Sequence, residues 1–430
     1  MEYIRHSVQL DTEKCKGCTN CIKTCPTQAI RVRNGKAKIL NDRCIDCGEC
    51  IRVCPYHAKK AITDSFDAMN KFKYTIAIPA PTLYGQFAEA DDINVILNGL
   101  ISIGFDHVYE VAYAAEIITQ ETIRLRNTNM LEKPIINSAC PAVVKLISTR
   151  FPNLLNNIMP VISPMQLAGK LAKDEAAKKT GYNREDIGVF FITPCAAKAT
   201  CAQYPIGLKE SYVDGAISIK DIYLKLLPKL KNKDNLKQLS KAGFGGISWA
   251  TSGGEASGAE KSNYIAVDGI HNVLKILDEI DNGRLQDIDF IELLACTGGC
   301  VGGPLTVENA FVAKRRVKRF AAECREVNGE EDSATFENQY DVLWNAPIPF
   351  MSKLNLDDDM FEAMKKLNQI EEIYETLPKL DCGSCGSPSC RCLAEDIVRG
   401  YTTEDSCIVR FKEKIVSLAQ SIEIAEKNNI

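Results

Sequence analysis

The chain has 430 residues and a formal net charge of -4, so it lacks the basic excess that nucleic-acid-binding proteins use. Its apolar fraction of 45% and charged fraction of 25% are typical of a globular protein, and its length favours two or three domains. No apolar run approaches the ~20 residues of a membrane span. The start, MEYIRHSVQLDTEKC, lacks the apolar stretch of a secretion signal. We therefore expect a cytoplasmic protein without nucleic-acid or membrane partners.

The chain contains 19 cysteines but only 4 histidines. The cysteines fall into an N-terminal group (residues 15–54), a scattered central group (140–324) and a C-terminal group (382–407). Close spacing in a chain without a secretion signal favours metal thiolates over disulfides. The grouping predicts three domains, at residues 1–66, 67–370 and 371–430.

The N-terminal domain contains the cysteine run C-x2-C-x2-C-x3-C-P twice, beginning at Cys15 and at Cys44. In bacterial ferredoxins the first three cysteines of one run share a [4Fe–4S] cluster with the fourth cysteine of the other. The expected ligand sets are Cys15, Cys18, Cys21 and Cys54 for one cluster, and Cys44, Cys47, Cys50 and Cys25 for the second. A zinc site, the alternative, needs four ligands and no duplicated set of eight.

The C-terminal domain carries another complete set of four thiols, Cys382, Cys385, Cys390 and Cys407. Their spacing resembles the small [4Fe–4S] domain that is attached to several anaerobic redox proteins, although four thiolates also suit zinc. Cys392 is expected to be a packed free thiol. Residues 408–430 are predicted to form an amphipathic helix that either caps this domain or docks a partner.

Between residues 70 and 370, apolar runs alternate with helical stretches, which predicts an α/β fold with a largely parallel sheet. The predicted strands are YTIAIPAP, DHVYEVA, KPIINSACP, DIGVFFITPC and DIDFIELLACTGGC. Cysteines follow three of these runs, and sites in α/β sheets gather at the carboxyl ends of strands. The sequence therefore allows four distant cysteines to converge: Cys140, Cys195, Cys296 and Cys300. Four unrelated buried thiols are the alternative.

Three motifs resemble the signature motifs of [FeFe]-hydrogenases: NSACP (137–141), TPCAAK (193–198) and ELLACTGGCVGG (292–303). The similarity extends to Ala80-Pro81, to SPM (163–165) and to TSGG (251–254). It implies a hydrogenase catalytic domain of α/β class with mainly parallel sheets, flanked by an α+β bacterial-ferredoxin domain and a small C-terminal iron–sulfur domain.

The resemblance also implies an H-cluster, which is a [4Fe–4S] cube bridged to a two-iron subcluster carrying CO, CN⁻ and an azadithiolate. By position, Cys140, Cys195, Cys296 and Cys300 would bind the cube, and Cys300 would bridge to the two-iron unit. Lys198 matches the lysine that donates to an iron-bound cyanide. The expected cofactor-binding residues are Ala80, Pro81, Ala139, Lys198 and Ser252. With the other cysteine sets, the cofactors would be three [4Fe–4S] clusters and one H-cluster.

The chain departs from the catalytic pattern of that family along its proton path. The cysteine that carries protons to the azadithiolate is replaced by Ala139. Three further positions, which hold a glutamate, a serine and a second glutamate in the family, hold Thr122, Met159 and Cys201 here. Two methionines that lie beside the two-iron unit in the family are replaced by Thr193 and Leu294. Proton transfer needs groups within hydrogen-bond reach, so this loss predicts slow turnover.

Four titratable residues near the motifs could form a replacement route: Glu255, Glu260, Glu292 and Cys201. We favour Glu292 and Glu255, with Cys201 third. Surface positions or helix capping are the alternative explanation for each of them.

These features favour a low-turnover hydrogenase that acts on H2 and protons, similar to the sensory [FeFe]-hydrogenases, which share the alanine and the C-terminal cluster domain. Its electrons would leave through either the ferredoxin or the C-terminal clusters to a ferredoxin or a signalling partner, and a homodimer is an open expectation. A ferredoxin-linked metabolic hydrogenase is one alternative. The other is a non-catalytic iron–sulfur assembly scaffold without the two-iron unit, which Lys198 and the third motif argue against.

Overall fold

The computed structural model describes residues 6–128, 131–231, 233–257, 263–328, 340–348 and 356–428. The elements of the ferredoxin-like module are β1 (Val8–Leu10), α1 (Asn20–Lys23), β2 (Ile30–Arg33), β3 (Lys36–Ile39), α2 (Glu49–Arg52) and β4 (Lys59–Ala61). Strand β1 pairs antiparallel with β4, and β2 with β3. Each short helix begins inside a cysteine run, after a residue with positive φ, Thr19 or Gly48. The two halves of this α+β module therefore repeat each other, as their sequences do.

The central domain contains two sheets. Its strands are β5 (Tyr74–Pro79), β6 (His107–Val108), β7 (Ile135–Ile136), β8 (Ile187–Thr193), β9 (Gly215–Ser218), β10 (Tyr264–Asp268) and β11 (Phe290–Leu294). The larger sheet has the order β6-β5-β8-β9 and the smaller one β10-β11-β7. All neighbouring strands in both sheets are parallel, which confirms the predicted α/β fold with mainly parallel sheets.

Helices surround these sheets. They are α3 (Ile93–Ser102), α4 (Val111–Arg126), α5 (Pro141–Arg150), α6 (Pro164–Thr180), α7 (Ala196–Gln203), α8 (Ile219–Leu226), α9 (Phe244–Ser248), α10 (Gly254–Ser257), α11 (Ile270–Asp281) and α12 (Ala310–Asn328). Alternate residues of β5 enter two different cores: Ala77 packs in one with Leu97 of α3, and Ile78 packs in the other with Ala168 of α6. Because both faces of the strand are covered, its sequence is continuously apolar.

Two predicted strands are shorter than expected. The strand expected over 106–112 ends at Val108, because Val111 begins helix α4. The strand expected over 133–141 covers only β7, and Pro141 begins α5, where a proline at the first helical position is favourable. Strands β9 and β10 were not predicted; β9 has only four residues, and the residues of β10 are mostly half-buried.

The C-terminal domain contains α13 (Met360–Thr376), α14 (Cys390–Val398) and α15 (Ile408–Asn428). The predicted boundary between residues 370 and 371 falls inside α13, whose Ile370 packs in one cluster with Leu393 of α14. The side chains of residues 411–425 in α15 are exposed, so this stretch does not cap its own domain. Among the described residues, we find no helix with the length and apolar character needed to cross a membrane.

Candidate metal centres and active-site cavity

Two cavities in the ferredoxin-like module are each lined by four cysteines. The first, with about 340 Å³ of space not filled by protein atoms and partly open to solvent, is lined by Cys15, Cys18, Cys21 and Cys54. The second, with about 350 Å³ measured in the same way, is lined by Cys25, Cys44, Cys47 and Cys50. The structure thus brings together the two sets that the duplicated run predicts, with the fourth cysteines exchanged.

The walls of these cavities suit anionic clusters. The backbone N–H groups of Ala29 and Ala58 each donate to a cysteine sulfur at 3.2 Å, those of Cys25 and Cys54. Lys59 is 3% exposed, and its Nζ has no hydrogen-bond partner among the described residues. A buried ammonium requires an anion nearby, and a cluster held by four thiolates is negatively charged. The donors present therefore fit [4Fe–4S] clusters.

The lysine lines the cavity of the Cys15 set and is also close to a cysteine of the other set. Burial raises the pKa of the Cys21 thiol in one set and of the Cys50 thiol in the other, and the charge of Lys59 opposes both increases. One cation therefore faces ligands of both candidate clusters.

In the central domain, four cysteines follow the carboxyl ends of strands from both sheets. Cys140 follows β7, Cys195 follows β8, and Cys296 and Cys300 follow β11. Burial raises the pKa of Cys195 well above its usual value, and the neighbouring Cys296, Cys140 and Cys300 raise it further. The four thiols are thus close enough to repel one another when ionised, which a cationic metal centre would reverse.

The glycines of the third motif let this cysteine loop approach another backbone segment. Gly299 has φ 98°, and a Cβ there would lie 2.5 Å from the backbone nitrogen of Ser252. That nitrogen donates to the carbonyl oxygen of Gly298 at 3.1 Å. Ser252, expected as a cofactor-binding residue, thus contacts the cysteine loop through its backbone and is not among the residues that line the cavity described next.

A larger cavity, with about 590 Å³ not filled by protein atoms, adjoins Cys300. The predicted cofactor-binding residues Ala80, Pro81, Ala139 and Lys198 line it. So does Thr82, whose fully buried hydroxyl has no hydrogen-bond partner in the described part of the chain. An unsatisfied buried hydroxyl is unfavourable unless a ligand bonds to it. The cavity therefore offers space and donors for a group beyond a cube held by the four cysteines.

Lys198 lies between the first motif and Cys300. Its Nζ donates to the carbonyl oxygen of Ala139 at 3.0 Å. Burial raises the pKa of Cys300 to about 12, against the charge of Lys198, which lowers it. The ammonium group is therefore close enough to Cys300 to stabilise an anionic ligand beside it.

Two buried carboxyl groups line the same cavity, Glu255 and Glu292. Asn137 Nδ2 donates to Glu255 Oε2 at 2.8 Å, and the backbone N–H groups of Gly253 and Ala256 donate to Glu292 at 3.0 and 2.8 Å. Burial, followed by repulsion from Glu292, raises the pKa of Glu255 to about 8. Burial also raises the pKa of Glu292. Both carboxyl groups therefore hold a proton at higher pH than an exposed glutamate does.

The other proton-route candidates are not placed at the cavity. Cys201 is buried in the apolar cluster beside Met165 and does not line the cavity. Burial raises the pKa of its thiol, and the charges of Lys145 and Lys198 lower it. Glu260 lies outside the described residues.

The positions at which the chain departs from the catalytic pattern are poor proton carriers. Ala139 and Leu294 line the cavity with apolar side chains, and Met159 is buried. The buried hydroxyl of Thr122 has no partner among the described residues. The hydroxyl of Thr193 exchanges hydrogen bonds with the backbone of the neighbouring cysteine.

The C-terminal cysteines surround one apolar cluster, which includes the buried Cys390 and Cys407 and the partly buried Cys385. Cys382 is exposed. Cys392, expected to be a packed free thiol, is buried, and its Sγ donates to Gln28 Oε1 of the ferredoxin-like module at 2.8 Å.

The C-terminal domain packs against the ferredoxin-like module, which the sequence did not indicate. The carboxylate of Asp396 accepts from Arg31 Nε at 2.6 Å and from Arg33 Nη2 at 2.9 Å. Glu395 forms an ion pair with Arg43.

A backbone contact places the C-terminal cysteines near one of the ferredoxin cavities. The N–H of Val32 donates to the carbonyl oxygen of Gly386 at 2.8 Å, and Val32 also lines the cavity of Cys15. A Cβ on Gly386 would overlap that strand, so only glycine allows this approach.

The opposite side of the module contacts the central domain beside the other ferredoxin cavity. Gly48, which lines that cavity, packs directly against Pro304, and Arg52 Nη2 lies 2.8 Å from the sulfur of Cys296. The sites therefore follow one order in space: the central cysteines, the Cys25 set, the Cys15 set and the C-terminal set. The C-terminal domain thus lies against the ferredoxin-like module, beside the Cys15 set.

Comparisons with known proteins agree with these features. The family model of the iron only hydrogenase large subunit, C-terminal domain, matches residues 73–224 and 223–304. A 4Fe-4S dicluster domain model matches residues 7–55, and an iron–sulfur cluster model matches residues 377–409.

Three relatives span two classes of protein. The periplasmic [Fe] hydrogenase large subunit of Nitratidesulfovibrio vulgaris is 26% identical over 363 residues, covering 69% of this chain and 86% of the relative. Iron hydrogenase 1 of Clostridium pasteurianum is 26% identical over 368 residues, covering 69% and 64%. The cytosolic Fe-S cluster assembly factor oxy-4 of Caenorhabditis elegans is 22% identical over 283 residues, covering 54% and 61%.

The hydrogenase match spans more than half of the chain and includes all four central cysteines with the cavity that adjoins them. The chain therefore belongs to the iron-only, or [FeFe], hydrogenase large-subunit family.

Proposed function

We propose that this protein is a slow [FeFe]-hydrogenase that senses H2 or redox state, with an H-cluster on Cys140, Cys195, Cys296 and Cys300. The observation that carries the proposal is the cavity beside Cys300, whose lining includes Cys300 but not Cys140, Cys195 or Cys296. It presents the ammonium of Lys198 and the unpaired hydroxyl of Thr82. Both are donors suited to anionic ligands such as cyanide.

The H-cluster, when bound, supplies the metal site at which H2 is cleaved heterolytically. The four central thiolates would hold its cube, and Lys198 would hold the two-iron part through a ligand that accepts hydrogen bonds. Ala80, Pro81 and Ala139 exclude water with apolar walls. Three further [4Fe–4S] clusters would occupy the two ferredoxin cavities and the C-terminal cysteines.

Slow turnover follows from the proton path. A positioned acid or base typically contributes 10²–10⁴-fold to a rate, and Ala139 supplies none. Thr122 and Met159 do not restore a relay behind it. A rate too slow for bulk H2 metabolism suits a protein whose redox state is the signal.

A second route for protons leads from the cavity through Glu255 and Glu292. Glu255 holds a proton near neutral pH because burial raises its pKa to about 8, and Glu292 lies close enough to perturb it. The half-buried Asp268 is in turn close enough to raise the pKa of Glu292. We infer that these carboxyl groups move protons between the cavity and the surface at a limited rate.

Electrons would pass through the clusters in the spatial order of their sites, from the central cube to the C-terminal cluster. Cys382 at the C-terminal end of this series is exposed, and so is Cys18 in the Cys15 set. A ferredoxin or a signalling partner would exchange electrons at either of these sites.

A non-catalytic scaffold is the second candidate, favoured by Ala139 and by the similarity to an iron–sulfur assembly factor. The scaffold hypothesis does not explain the cavity beside Cys300 or the hydrogen-bond donors that line this cavity. The two candidates differ in one measurable property, the presence of the two-iron unit.

Infrared spectroscopy of protein produced with its maturation factors tests the proposal. We expect CO and CN⁻ stretching bands together with slow H2 turnover, and loss of the bands in Cys300→Ala, which keeps the ferredoxin cysteines. Absence of the bands in the wild-type protein would exclude the hydrogenase proposal and favour the non-catalytic scaffold. Bands with rapid turnover would instead indicate a metabolic hydrogenase.

The proton route is tested by Glu255→Gln and Glu292→Gln, which keep the size of each side chain. Gln at position 255 can still accept from Asn137, whereas Gln at position 292 can accept from only one of the two backbone N–H groups that Glu292 binds. We expect turnover to fall about 100-fold in each variant, the lower range for a positioned acid or base. Because Glu255 donates only while protonated, wild-type H2 formation should decline as pH rises through about 8, and Glu255→Gln should lack this step. Wild-type rates in both variants would remove the route.

A further inference from the structure

We propose that Arg52 of the ferredoxin-like module is a positioning residue for the cube in the central domain. It would raise the cube's reduction potential through an N–H···S hydrogen bond to Cys296, and would couple the cube to the cluster of the Cys25 set. The inference rests on the proposed cube ligands and does not require the two-iron unit.

Three hydrogen bonds hold the guanidinium of Arg52 in one orientation. Nη2 lies 2.8 Å from Cys296 Sγ, Nε donates to the carbonyl oxygen of Gly302 at 3.1 Å, and Nη1 pairs with Glu49 Oε2 at 2.7 Å. The first two partners belong to the third motif, and Glu49 belongs to helix α2 with Arg52 itself. A planar group held on three sides presents a fixed donor to the sulfur.

The positive charge faces ligands of two neighbouring sites. Burial disfavours the charged guanidinium, but Cys296, then Glu49, Cys47 and Cys195, outweigh it and raise the pKa of Arg52. Cys296 and Cys195 are candidate ligands of the cube, and Cys47 belongs to the adjacent ferredoxin set. Arg52 thus places a positive charge close to candidate ligands of both sites.

The direction of the effect follows from charge. Reduction adds an electron to a cluster that already carries negative charge, so a cation and an N–H donor at a ligand sulfur stabilise the reduced state more than the oxidised state. The cube should gain more than the ferredoxin cluster, because the direct bond is to Cys296. A purely structural clip would alter stability and leave the potential unchanged.

Arg150 provides a matched control. Its Nη1 donates to the carbonyl oxygen of Pro26 at 3.0 Å, which joins helix α5 to the ferredoxin-like module across the same boundary. This arginine bonds to a backbone oxygen and not to a cysteine sulfur.

The experiment is an EPR-monitored redox titration, with iron analysis, of full-length protein that carries only its cubane clusters. At the wild-type midpoint of the cube, Arg52→Gln should lower the ratio of reduced to oxidised cube about tenfold, which is a shift of about 59 mV for one electron. The Cys25-set cluster should shift less in the same direction. Arg52→Lys, which keeps the charge, should recover part of the shift, and Arg150→Gln should leave the cube midpoint unchanged.

An unchanged cube midpoint in Arg52→Gln, or an equal shift in Arg150→Gln, would overturn the inference. If Arg52→Gln loses the cube's iron, Arg52→Met is titrated in its place, and a loaded cube at the wild-type midpoint in that variant would overturn the inference. A wild-type protein that lacks the iron of one cluster and keeps the same iron content in Cys296→Ala would overturn the proposed central ligand set itself, and that failure is visible before any titration.

Discussion

The ferredoxin-like module contacts its two neighbours through faces of different chemistry. Towards the central domain, one cation reaches a cysteine sulfur directly, Arg52 at Cys296. Towards the C-terminal domain, the arginines pair with carboxylates, Arg31 and Arg33 with Asp396 and Arg43 with Glu395. The two faces will be called the central face and the C-terminal face.

The central face also contains a buried ion pair, but its carboxylate has several donors. Asp46, with a fully buried side chain, accepts from Lys145 Nζ at 3.1 Å and from the hydroxyl of Thr200 at 2.8 Å. The backbone N–H groups of Ser7 and Val8 donate to its other oxygen. Burial opposes the charge of Lys145, but Asp46 outweighs it and raises the lysine pKa.

The difference suggests a division of roles. On the C-terminal face three arginines pair with two carboxylates and attach a domain, whereas Arg52 on the central face places its positive charge directly at the sulfur of a candidate cluster ligand. Mutations on the C-terminal face should therefore release a domain with little effect on the central site. Those on the central face should change cluster properties as well as attachment.

Asp396→Asn should have the larger effect on stability. It leaves Arg31, with a side chain 5% exposed, and Arg33 without their anion, and removal of one partner from a buried ion pair costs about 4 kcal/mol. Hydrogen–deuterium exchange of the anaerobic protein should show faster exchange in β2 and α14, with the central domain unchanged. Electron transfer to the C-terminal cluster should slow in parallel.

Glu371→Gln is the control for this experiment. Glu371 pairs with Arg391 at the surface of the same domain, where ion pairs contribute little. Equal exchange in the two variants would show that the Asp396 ion pairs do not attach the domain.

The parts of the molecule that the sequence predicted best depend on local spacing. The two cysteine runs determine which thiols line each ferredoxin cavity, since each loop is closed within a few residues of its helix. The central cysteines were harder, but each lies where an apolar run ends, and parallel strands bring those ends together. Glu292 stands inside such a run, in FIELL, and a charge in a buried strand is itself a signal of function.

The contacts between domains could not be predicted in the same way. Arg52 lies within a cysteine run and shows no pattern that distinguishes it from a solvated residue of a short helix. Arg31 and Arg33 alternate along a strand, and their partner lies more than 360 residues away in sequence. Which surfaces meet depends on packing of whole domains, and a single sequence contains no periodicity that reports it. The early end of the strand at Val108 also depends on contacts between distant segments. Helix α4, which begins at Val111, packs with α6 and α9.

Lys145, like Glu292, stands out in the sequence as a charge in an apolar segment, since it is the one charged residue in the stretch PAVVKLI. Lys145→Met should cost less stability than Asp396→Asn, about 3 kcal/mol, because Asp46 keeps the donors from Ser7, Val8 and Thr200. Exchange should increase in β1, and the midpoint of the Cys25-set cluster should fall, because Asp46 lies 4.0 Å from Cys44 Sγ and loses its cation.

Lys173→Met is the matched variant away from this boundary, since Lys173 pairs with Asp214 within the central domain at 2.8 Å. It should leave both the exchange of β1 and the cluster midpoint at wild-type values. If β1 exchanges faster in Lys145→Met but the midpoint of the Cys25-set cluster stays at its wild-type value, the Lys145–Asp46 ion pair only attaches the two domains. Arg52 would then be the single charge on that face with a redox role, which would sharpen the contrast between the two faces to one hydrogen bond.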